Sequence, residues 1–290
     1  MPLNFAMKLM SAAEFMLWAT LAVLFWKKSL QRRFPAMSVY LALRVASMPV
    51  LLALLYMQSQ PWGHKYFPAY FYTYWAVYIA SAITIFFICV EVFRSVLSAF
   101  SGLMRLGTVV FRWAAVVSLI VSLSTVSYVH PSVFLVSDIA FALMRSVSIL
   151  ALCLLAFLCL SMNALRFSVR DIAFGTALGF GLMSASDFVV AALLSRNTSL
   201  TSPLQFVNES FILLSLGIWV TYFALPEPAR KPVVMPASST IYRWNEIAAA
   251  LGHGTQIAVQ QPANSFFLTD VEKVVDKVLT RNMQGSESKL

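Results

Sequence analysis

Seven long apolar runs separated by short polar segments occupy the first 225 residues, at about 6–26, 35–59, 68–93, 108–129, 133–164, 172–195 and 203–225. Each is near or above the roughly 20 helical residues that cross a hydrocarbon core about 30 Å thick. Backbone N–H and C=O groups find no water there, so a spanning segment must be a helix or part of a closed barrel. The runs are continuously apolar, without the period-two alternation of barrel strands, and therefore predict helices. The expected architecture is all-α: a polytopic membrane protein with a seven-transmembrane helix bundle over residues 1–225.

Beyond Leu225 the pattern changes. Residues 226–240, PEPARKPVVMPASST, form a Pro-rich linker that cannot sustain a regular element. Residues 241–290 predict a short cytoplasmic tail with two short amphipathic helices. The first covers about 240–251 and stops at Gly252; the second covers about 269–281. In the second, Thr269 and Glu272 match a capping box. Val271, Val274, Val275 and Val278 share one face at i, i+3, i+4, i+7 spacing. Such a tail is too small for a core of its own and is expected to dock on a protein partner.

Composition agrees with the pattern: 60% of the residues are hydrophobic and 11% charged, against roughly 25% charged in soluble domains. The net charge of +9 does not point to nucleic acid, because the cations are scattered between the apolar runs. Residues 1–225 hold fourteen Lys/Arg and six Asp/Glu, and residues 226–290 hold seven and six. Loop one carries Lys27, Lys28, Arg32 and Arg33, loop three holds Arg105, flanked by Arg94 and Arg112, and loop five has Arg166 and Arg170. Loops two and six offer Lys65 and Arg196, and loop four has neither Lys nor Arg. The positive-inside rule then places the odd loops and the tail in the cytoplasm and the N-terminus outside, in the cell (inner) membrane. The first span lacks a basic n-region with a small-residue cleavage site and is expected to remain as an anchor.

Several motifs bear on chemistry. No GxSxG, P-loop or HExxH occurs, and the chain is expected not to be an enzyme. Microbial rhodopsins hold retinal on a lysine of the last span, and PLQFVNESFILLSLGIWVTYFAL has none. His64, His130 and His253 lie in outer loops and the tail, which does not make a facing zinc ligand set. Cys89, Cys153 and Cys159 sit inside apolar runs and read as small buried hydrophobes. No cofactor or metal is expected.

The remaining candidates are charges inside the spans, each costly unless paired or hydrated. With about 1.5 Å of rise per residue from the basic end, Glu14 lies about 18 Å in and Arg44 about 13 Å. They are a candidate intramembrane ion pair. By the same count Asp187 lies at about 22 Å, Glu209 at about 24 Å and Arg145 at about 28 Å, with Asp138 above them. These four form a candidate ligand or polar cluster in the outer half, since one Arg cannot neutralise three acids. Glu91 and Arg94 read as an interfacial i, i+3 pair. The aromatic segment Tyr66 to Trp75 suits the outer membrane interface, or lines a pocket for an apolar or cationic ligand. Pro49 is expected to kink the second span, and Gly175-xxx-Gly179 to let the sixth approach a neighbour closely.

Together these features predict a sensory, ligand-binding or scaffold module with an outer polar pocket and a partner-binding tail. A secondary transporter of a small or proton-coupled solute is the alternative. A sensor needs an apolar plug beneath its pocket, whereas a transporter needs a path to both faces.

Overall fold

The computed structural model describes residues 2–58, 63–124, 132–165, 168–194, 201–226 and 245–247. Seven helices fill almost all of this: α1 Pro2–Lys27, α2 Pro35–Gln58, α3 Phe67–Val96, α4 Ser101–Ser124, α5 Ser132–Leu165, α6 Ile172–Leu194 and α7 Thr201–Ala224. All seven are long and apolar enough to cross a membrane. The chain is an all-helical integral membrane protein, as its hydropathy pattern requires. Proline stands within the first three residues of α1, α2, α3 and α7. There its missing N–H leaves no intrahelical bond unmade and its fixed φ suits the first turn. The expected linker from 227 onward and the helix near 269–281 lie outside the described residues. Of the helix expected near 240–251, residues 245–247 are described and helical.

Consecutive helices pack side by side, and α7 returns to pack along α1, closing a ring. Helix α3 runs through the middle, touching α2, α4, α5 and α6. Helix α4 is peripheral, lying mainly against α5 and little against α3. It begins at Ser101, ahead of the run expected from about 108, and its apolar span starts at Gly102. The Asn245 side chain accepts hydrogen bonds from the N–H groups of Gly102 and Leu103 at 3.1 and 3.2 Å. Such orphan donors at a helix start need a partner of this kind.

The basic end of the bundle is tied together by similar devices. The Lys28 Nζ donates to the carbonyls of Ala224 and Leu225 at 2.7 and 3.0 Å, placing a cation on the negative end of α7. Asp171 is buried and caps α6 by accepting from the Ala173 N–H at 2.9 Å, with Arg33 Nη2 3.8 Å away. The spacing of Glu91 and Arg94 predicts a pair, and the structure corrects this. The Glu91 carboxylate is directed at the Ala36 and Met37 N–H groups in the first turn of α2, while Arg94 is exposed. An unbonded helix start on a neighbouring helix outcompetes a solvated cation, because its N–H groups have no other partner.

The glycines of α6 also act in a way the spacing alone does not show. A Cβ on Gly175 would fall closer than 3.0 Å to the Tyr222 ring, and one on Gly179 would come as close to Trp219 Nε1. Both positions make room for an aromatic side chain of α7.

Candidate ligand-binding site

The site begins from two pairs of residues spaced four apart, each on one face of its helix. On α1, the Trp18 Nε1 donates to Glu14 Oε1 at 3.0 Å. On α2, the Arg44 Nε donates to Tyr40 Oη at 3.2 Å. The Arg44 guanidinium lies 5.7 Å from the Trp18 ring centroid and 5.5 Å from that of Tyr40, the geometry of a cation over aromatic faces. Glu14 and Arg44 therefore share one indole, and Arg44 lies in the field of the Glu14 carboxylate.

Helices α6 and α7 add a second polar arm. Ser186 donates to Asn208 Oδ1 at 3.1 Å, and the Asn208 side chain hydrogen-bonds the Asp187 carboxylate. With its oxygen accepting from Ser186, the Asn208 amide has its N–H groups to offer Asp187, so the orientation is internally consistent. The cation whose field reaches Asp187 is Arg44, and Tyr78 of α3 stands near the same carboxylate. Glu209 lies in the field of Glu14, with Oε2 buried and without a hydrogen-bond partner. Asp187 is thus linked electrostatically to Arg44 and Glu209 to Glu14, with Asp187 exposed and Glu209 half-buried. Asp138 and Arg145 lie two turns apart on α5, Asp138 half-buried and Arg145 exposed.

Counting about 1.5 Å per residue from the basic end, Arg44 lies about 14 Å along its helix and Glu14 about 20 Å. Asp187 and Glu209 follow at about 22 Å and Tyr78 at about 27 Å, so the group rises toward the opposite face. Above it, Tyr70, Tyr74 and Tyr78 stack down one stripe of α3 with centroids 6.2 and 6.3 Å apart. The stripe ends beside Asp187, while Phe67 and Tyr72 of the same segment are exposed. Tyr74 in the middle of the stripe is itself exposed, whereas Tyr70 and Tyr78 are half-buried.

Beneath the charges the bundle is closed by rings. Trp18 contacts Tyr40 at 5.6 Å and Trp219 at 5.8 Å, and Phe180 contacts Tyr40 at 5.4 Å and Trp219 at 4.6 Å. All four side chains are buried, and Phe25 packs on Phe223 one layer below. Trp219 is held by its Nε1 donating to the Thr176 carbonyl at 3.3 Å and by the space over Gly179.

Trp18, Tyr40 and Tyr78 are members of the site that sequence reasoning missed. Their signal is the i, i+4 spacing of Glu14–Trp18, Tyr40–Arg44 and Tyr74–Tyr78. Among the described residues, no three His, Cys, Asp or Glu side chains converge as metal ligands. No protein-family model matches this chain, and no curated protein or solved structure is significantly similar to it.

Proposed function

We propose that the chain is a sensory, ligand-binding membrane module whose outer half takes a small cation, without enzymatic activity. The observation that carries this reading is an acid-rich polar group set directly above a sealed aromatic floor. Arg44 lies in the fields of Glu14 and Asp187, and Glu209 in that of Glu14, and one guanidinium cannot neutralise three carboxylates. The residual negative charge in apolar surroundings favours a cationic guest. Tyr74 and Tyr78 offer ring faces on the way in, as small ammonium ions require. The floor of Trp18, Tyr40, Phe180 and Trp219 argues against a continuous polar path to the other face, and so against the transporter alternative.

In this reading the basic loops and the tail face the cytoplasm, the polar group opens outward in the cell membrane, and the tail engages a protein partner. The Asn245 bond to the start of α4 supports a tail that communicates with the bundle.

Reconstituted protein in liposomes tests the reading with methylammonium and sodium as probes. Trp18 donates to Glu14, so tryptophan emission reports on the site. A saturable change with one external probe is expected, lost in Asp187→Asn/Glu209→Gln, with no uptake of labelled probe above empty liposomes. Uptake would move the protein to the transporter class, and an identical response in parent and variant would remove the site.

A further inference from the structure

Three helices begin at the basic end of the bundle, α2, α4 and α6, and each has N–H groups in its first turn without intrahelical partners. Two of these starts are served from within the bundle. Glu91 of α3 serves α2, and Asp171 serves α6 from the position just before it. Helix α4 differs. Its N-cap position is Phe100, whose carbonyl accepts the first intrahelical bond from the Met104 N–H at 2.8 Å and whose φ of −126° and ψ of 85° lie outside the helix. A phenyl ring has no acceptor for the second and third helical N–H groups, which an Asn, Ser or Asp at the N-cap would bind. Those are the N–H groups of Gly102 and Leu103, and Asn245 Oδ1 accepts from both. The cap that α4 lacks locally is supplied from the tail, 143 and 142 residues away along the chain.

This hold is polar rather than apolar. Asn245 is half-buried, and Glu246 and Ile247 beside it are exposed, so these tail residues bury little apolar surface against the bundle. Helix α4 is itself peripheral, lying mainly against α5. An element with few packed neighbours opens locally at a lower free energy than the rest of a molecule. We propose that the segment around Asn245 is a detachable latch, which fixes the basic end of α4 and frees it when the tail is drawn away. The coupling is reciprocal, so whatever draws the tail away binds more tightly once α4 has loosened. Only the partner that draws the tail away rests on the reading proposed above; the latch depends neither on that partner nor on the outer polar group.

Hydrogen exchange of the full chain in phosphatidylcholine nanodiscs tests the latch with no partner present. In Asn245→Ala the amides of Gly102 and Leu103 are expected to exchange about tenfold faster, as for the loss of a helix cap, while the starts of α2 and α6 are unchanged. Asn245→Asp keeps the acceptor oxygen and adds a charge favoured at a helix start, and it is expected to retain the protection. A nitroxide on Glu246→Cys, in a chain whose Cys89, Cys153 and Cys159 are replaced by alanine, is expected to gain mobility when Asn245→Ala is added. Unchanged exchange at the start of α4 in Asn245→Ala, or a loss of protection as large in Asn245→Asp, overturns the proposal. Faster exchange throughout the bundle also overturns it, because the contact is then part of the fold and not a latch. Equal nitroxide mobility with and without Asn245 does the same.

Discussion

Arg44 is the residue on which the polar group depends. It donates to Tyr40, lies over the Trp18 ring and sits in the fields of Glu14 and Asp187. Glu14 and Arg44 are half-buried, so stranding one of them costs less than it would in a fully buried pair, about 1–3 kcal/mol, whereas removing both costs less still. Arg44→Gln is therefore expected to lower thermal stability in detergent by an amount in that range. Adding Glu14→Gln to it is expected to restore part of the loss, because the stranded carboxylate goes with the guanidinium. Strictly additive effects in the cycle of Glu14→Gln, Arg44→Gln and the double variant would show that the two charges do not interact. Counting residues along helices is enough to place Glu14 and Arg44 at similar depth. It cannot show that Trp18 lies between them, since depth along an axis says nothing of which way a helix is turned. For the same reason the height of Arg145 suggests reach to Asp187 or Glu209, while the charge acting on Asp187 comes from α2.

At the scale of the element, the apolar runs locate every helix, because a spanning segment has no other way to satisfy its backbone. The ends are harder to read wherever a helix continues beyond the hydrocarbon. The first turn of α4 is capped by Asn245, distant in sequence, and no local pattern announces such a cap. The small-residue spacing of α6 is visible, but not that aromatic rings of α7 fill the space it leaves. That distinction has a consequence for the floor. Gly179→Ala places a methyl closer than 3.0 Å to Trp219 Nε1, so the indole must move and its bond to the Thr176 carbonyl is strained or lost. Overpacking of this kind typically costs about 1–3 kcal/mol. The expected result is a lowered unfolding temperature in detergent together with a red shift in tryptophan emission as Trp219 leaves its buried position. Gly217 serves as the control on α7, because no atom lies within 4 Å of the point a Cβ there would occupy. Gly217→Ala is expected to be neutral or slightly stabilising. Equal losses at the two positions would mean that the fit of Trp219 over Gly179 does not matter.

For the whole molecule, packing and charge answer different halves of the topology. The bonds from Lys28 to the end of α7 and from Arg33 toward Asp171 at the start of α6 bring loop one, loop five and the end of α7 to one end of the bundle. Which end faces the cytoplasm follows from the Lys/Arg distribution alone, since the packing would be the same in either orientation. The positive-inside rule predicts that the end with Gln31, Arg105 and Ser168 is cytoplasmic and the end with Lys65 is external. These four side chains are exposed, which makes them fit sites for single cysteines in a chain whose Cys89, Cys153 and Cys159 have been replaced by alanine. In intact cells a membrane-impermeant maleimide is expected to label Lys65→Cys and to spare Gln31→Cys, Arg105→Cys and Ser168→Cys, all of which label after the membrane is opened. Labelling of the three together from outside, with Lys65→Cys protected, would invert the molecule. The polar group would then open to the cytoplasm and could no longer receive an external ligand. Labelling of Gln31→Cys and Ser168→Cys from opposite sides would be more damaging, because the ties at the basic end require them to lie on the same side.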